Sequence, residues 1–74
     1  LMVDLRPTNQ KLIHRSIGII QDICDLSESN AASLYEQAQQ QLKVAVVMHL
    51  ANCSREEAET RLQANQGQIK RAIQ

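Results

Sequence analysis

The sequence predicts an all-α fold, a small four-helix bundle entered through a short extended arm. Three observations point there. The 74 residues are 43% hydrophobic yet hold a single aromatic, Tyr35. The core is therefore built from Leu, Ile, Val, Ala and Met, which suits packed helices better than facing sheets. One proline and two glycines (Pro7, Gly18 and Gly67) leave long uninterrupted runs, and within them apolar residues recur at three- and four-residue spacing. A chain this short buries only about 60% of the surface its unfolded form exposes, so it is one domain at most, or a piece of a larger protein, and its core is thin.

The arm is residues 1–8. Leu1, Met2, Val3 and Leu5 read as a strand end, and so short a strand cannot form a sheet alone. Its partner is expected upstream, and the opening Leu1 in place of Met fits excision from a longer protein. Pro7 holds the residue before it extended, and Thr8 or Asn9 can cap the helix start. The helical domain spans 9–74.

Helix one is expected over 9–25, with Leu12, Ile13, Ser16, Ile17, Ile20, Ile23 and Cys24 on its inner stripe. Helix two is expected over 30–51, with Ala31, Leu34, Tyr35, Ala38, Leu42, Ala45, Val46 and His49 along one side. Its second half, Val44 to Met48, is apolar nearly all round, the mark of a helix buried on several sides. Ser54-Arg55-Glu56-Glu57 is a capping box opening a third helix over 55–64, with Ala58, Leu62 and Ala64 inward. In such a box the Ser54 hydroxyl takes the Glu57 amide while the Glu57 carboxylate reaches back. Gly67 supplies the left-handed residue that a helix end needs, and a short fourth helix follows over 68–73.

Composition and motifs exclude several functions. A net charge of zero gives no basic face for nucleic acid. No apolar run reaches the ~18 residues of a membrane span, and no signal-peptide pattern is present. Cys24 and Cys53 read as free thiols in a reducing cytoplasm. His14 reads as solvated and His49 as partly buried; neither has a metal-ligand partner four residues on. Glu56, Glu57 and Glu59 suit the positive end of a helix and need no catalytic role. No phosphate-binding loop, nucleophile elbow or zinc spacing occurs.

Two segments carry more. Residues 1–12 run from a strand into a capped helix, with Thr8, Asn9 and Lys11 at the junction. Amides at a helix start attract anions, and a lysine reinforces the attraction. Residues 44–73 resemble the three-helix ubiquitin-associated (UBA-like) fold. Leu1 to Leu12, Val44 to Met48, Glu56-Glu57-Ala58 and Gly67 before Ile69 together resemble the C-terminal part of the bacterial N-acetylmuramic acid 6-phosphate etherase family, of which glucokinase regulatory protein is a distant relative. The resemblance implies a cytoplasmic homodimer in which a sugar isomerase (SIS) domain precedes this helical tail. It also implies cleavage of the D-lactyl ether of N-acetylmuramic acid 6-phosphate to N-acetylglucosamine 6-phosphate and D-lactate. No metal or organic cofactor is implied.

In that family the acid/base glutamates and phosphate-binding serines lie in the SIS domain, so no catalytic residue is expected here. The tail is expected to cover or brace the active site. Thr8, Asn9 and Lys11 are the residues expected nearest the sugar phosphate, and Pro7, Ser54, Glu57 and Gly67 are expected to be structural. The competing reading is a free-standing UBA-like interaction module; a third is a helical cap with no partner beyond its own chain. Against the module, Met48 is followed by His49 and Leu50, without the Gly-aromatic pair such modules use.

Overall fold

Five helices follow one another in the computed structural model, which describes residues 7–73: α1 (Pro7–Cys24), α2 (Glu28–Gln37), α3 (Leu42–Leu50), α4 (Arg55–Ala64) and α5 (Ile69–Ala72). No strand occurs among the described residues. The all-α bundle stands, but the count rises from four to five. The extended arm's residues 1–6 lie outside the described residues, and its last two, Pro7 and Thr8, already belong to α1. A proline fits the first helical turn because the N–H it lacks would have no partner there.

The extra helix comes from a break where one continuous helix over 30–51 was expected. Ala38, Gln39 and Gln40 form a turn, with φ of 57° at Gln39 and 60° at Gln40. Glutamine is a good helix former, so propensity does not cause this. Burial does. In α2 the buried residues are Ala31 and Tyr35 on one side, whereas Val44, Ala45, Val46 and Val47 of α3 are buried in succession around the axis. On a straight continuation of α2, no neighbour would cover all of α3; the break lets α3 turn into the centre.

All helices from α1 to α4 stop in the same way. A residue in the left-handed region follows the last turn: Asp25 (φ 56°), Gln39 (57°), Asn52 (55°) and Gln66 (59°). The amide after each closes back over the turn, Leu26 to Gln21 O at 3.3 Å, Gln40 to Tyr35 O at 2.8 Å, Cys53 to Met48 O at 3.0 Å and Gly67 to Leu62 O at 2.6 Å. These are Schellman closures, built without glycine at the first left-handed position. Gln39 and Gln40 take that conformation consecutively, which costs an L-residue about 1–2 kcal/mol each. Gln40→Gly is therefore expected to stabilise the chain by about 0.5–1 kcal/mol once the extra backbone entropy of glycine is deducted; urea denaturation measures it.

α1, α2 and α3 touch pairwise, and so do α3, α4 and α5. The molecule is thus two three-helix clusters sharing α3. Ile20, Val46 and Val47 are its largest fully buried side chains, joined in the core by Tyr35, Leu62 and small residues such as Ala31, Ala45, Ala58 and Ala72. Several inner-stripe assignments change. On α1, Ser16, Ile20 and Cys24 are buried and Ile13 and Ile17 half-buried, but Leu12 and Ile23 are 58% and 48% exposed. Ala64 and His49 also face solvent. The helix is turned so that the line Ser16–Ile20–Cys24, rather than its whole apolar arc, is buried.

Candidate functional site

The residues expected nearest a ligand start α1. Thr8 and Asn9 sit in its first turn, and their side chains lie outside the described residues. Lys11 is exposed, and one turn further on stand His14 and Arg15, exposed as well. Gln10, Lys11, His14 and Arg15 line one shallow surface depression. The first turn of α1 holds no acidic residue, so the Lys11 and Arg15 charges and the positive end of the helix dipole act in the same sense. The depression can attract an anion. No carboxylate is among its lining residues.

Ser54 and Glu57 lie at the start of α4 and Gly67 in the turn before α5. The Ser54 hydroxyl accepts the Glu57 amide at 3.2 Å. The second half of the expected capping box is absent: the Glu57 carboxylate turns forward and accepts Arg61 Nε at 3.1 Å and Nη2 at 3.0 Å. A guanidinium offers a stronger, charge-assisted partner than an exposed amide. Arg61, so oriented, donates through Nη1 to Ala72 O at 3.1 Å and ties α4 to the end of α5. Gly67 has φ of 77°, and its carbonyl accepts Lys43 Nζ at 3.2 Å. A helix as short as α5 is marginal alone, so these two cations hold it. The Glu57–Arg61 pair was legible as a four-residue spacing; Lys43 and Gly67 are too far apart in sequence to pair by inspection.

Cys24 is buried, Cys53 half-buried, and both are free. Burial disfavours the Cys24 thiolate and raises its pKa, while the Cys53 thiol lies 3.8 Å from Val47 O. Alkylation near neutral pH should modify Cys53 first and Cys24 only as the fold opens, a sequence that mass spectrometry can follow. The raised pKa has a second consequence. The unfolded chain releases this proton at lower pH than the folded one, so the Cys24 contribution to stability declines as pH rises beyond the ordinary thiol range.

Among the described residues no group of three His, Cys, Asp or Glu side chains is placed to hold a metal ion, and no helix is long and apolar enough to cross a membrane.

Residues 1–38 match the family model of the C-terminal lid domain of glucokinase regulatory protein. The matched segment ends at Ala38, the residue that caps α2. The chain is 59% identical over 73 residues to N-acetylmuramic acid 6-phosphate etherase of Staphylococcus epidermidis, covering 99% of this chain and 25% of that protein. It is 65% identical over 74 residues to the protein of the same name from Staphylococcus saprophyticus, covering 100% of this chain and 25% of that one. The Staphylococcus aureus protein of that name is 48% identical over 73 residues, covering 99% and 24% respectively. The chain thus spans about a quarter of the length of the curated relatives it matches. No solved structure matches it.

Proposed function

Because the chain belongs to the family of the C-terminal lid domain of glucokinase regulatory protein, we propose that it serves as the lid of an N-acetylmuramic acid 6-phosphate etherase. The observation that carries this reading is that all 74 residues match a quarter of a protein of that name at 65% identity. The helical domain braces a preceding sugar isomerase domain, which supplies the acid/base residues, and the whole protein acts as a cytoplasmic homodimeric carbon–oxygen lyase. A base there removes the proton next to the sugar aldehyde, an acid protonates the departing lactate oxygen, and water then adds to the double bond. Neither metal nor organic cofactor is needed.

The lid's share is to exclude water and fix the substrate. Lys11, with Thr8 and Asn9 ahead of it, stands nearest the sugar phosphate. α3, α4 and α5 form a UBA-like unit serving as scaffold, since Met48-His49-Leu50 lacks the Gly-aromatic pair of the ubiquitin-binding modules.

Lactate release by the full-length protein, with and without this 74-residue region, tests the reading. Loss of the lid is expected to cost about a hundredfold or more, the size of effect that lost positioning produces, and the 74 residues alone should release no lactate. Full activity without the region would overturn the proposal.

A further inference from the structure

The turn between α2 and α3 is strained, and its own bonds do not require the bend. Gln39 and Gln40 have φ of 57° and 60°, and no other pair of non-glycine neighbours among the described residues is left-handed in succession. The hydrogen bonds that shape the turn are internal to it. Gln39 N–H donates to Glu36 O at 3.0 Å, Gln40 N–H to Tyr35 O at 2.8 Å and Gln41 N–H to Ala38 O at 3.2 Å. Gln40 Nε2 also donates to Glu36 Oε2 at 3.0 Å, a four-residue pairing that a continuous helix allows equally well.

A straight path through the turn gives up no burial there. Ala38 continues the buried line Ala31–Tyr35–Ala38 at helical spacing, while Gln39, Gln40 and Gln41 are exposed. The bend is therefore held by the packing of α3 on α1 and α2. A second copy of the chain offers that same packing surface.

We propose that Gln39–Gln41 is a hinge through which two copies of this chain exchange their C-terminal clusters. In the exchanged pair α2 and α3 join into one helix over 28–50, and the α3–α5 cluster of each copy packs on α1 and α2 of the other. The contacts of α3 with α1 and α2 are regained between copies. The two left-handed glutamines become helical, which is the conformation they favour. A short, strained hinge between two packed units is the setting in which such exchange occurs. The family match, which ends at Ala38, marks α1 and α2 as one unit and leaves α3–α5 as the other. The inference stands apart from the lid reading.

The 74-residue chain carries its own core and is the molecule to test. It is unfolded, refolded at millimolar concentration and sedimented, as wild type and as two double variants. Gln39→Gly with Gln40→Gly relieves the bend and disfavours the helix; Gln39→Ala with Gln40→Ala keeps the strain and favours the helix. Dimer is expected in the wild type and the alanine pair, with dissociation about tenfold or more easier in the glycine pair. In dimer refolded from equal parts isotope-labelled and unlabelled chain, nuclear Overhauser effects between α1 and α3 should run between copies. Monomer alone in the alanine pair would overturn the proposal. So would a dimer whose α1–α3 effects stay within one chain, or one that the glycine pair leaves equally stable.

Discussion

Replacing Ile20 by alanine is expected to remove about 2–5 kcal/mol, the range for emptying a buried Ile or Leu site. Ile20 has no exposed surface and is one of the three largest fully buried side chains. It lies on α1, which packs on both α2 and α3, so the cavity would open inside one three-helix cluster. The core it belongs to is rich in short side chains such as Ala31, Ala38 and Ala45, which have little reach to collapse into a gap. Small domains have stabilities on the order of 5 kcal/mol, so the variant should be partly unfolded at room temperature. A loss below 1 kcal/mol in urea denaturation would mean that α1 is not seated as described.

The second large effect belongs to the other cluster. Leu62→Ala should also cost about 2–5 kcal/mol, because Leu62 is 8% exposed within the core and belongs to α4, which packs on α3 and α5. Ser54→Ala on the same helix removes one cap, the bond from the Glu57 amide, worth about 1 kcal/mol. The order of the two is the informative measurement. If Ser54→Ala proved the more damaging, α4 would owe its stability to its cap and not to its packing.

Helix starts were largely legible. Ser54 caps α4 as its spacing implies, although at α2 the cap is Ser27, placing the start at Glu28 rather than Asn30. Gly67 is left-handed as expected, but the residue before it, Gln66, shares that conformation. Helix ends were harder to read because glycine is the usual sign of a left-handed stop and here Asp25, Gln39, Asn52 and Gln66 occupy those positions. The turn at Ala38–Gln40 left no local mark, since three glutamines in a row, Gln39 to Gln41, are as good a helix as any. Only the change from one-sided to all-round apolarity at Val44 hints that the axis must turn. At the candidate site, Lys11 and its junction could be read from the chain, whereas the depression it shares with His14 and Arg15 emerged once the helix fixed which side faces water. The anchoring of α5 by Arg61 and Lys43 depends on tertiary approach.

The sharing of α3 between two clusters bears on kinetics. The main packing partners among the described residues are successive helices, together with α1 on α3 and α3 on α5, each of which skips one helix. Loop closures are therefore short, and helical domains dominated by local contacts fold in microseconds to milliseconds. Enzymes commonly turn over about ten times per second. A domain of this wiring regains its structure well within that time whenever it opens, so any melting of the bundle is brief on the scale of an enzymatic turnover.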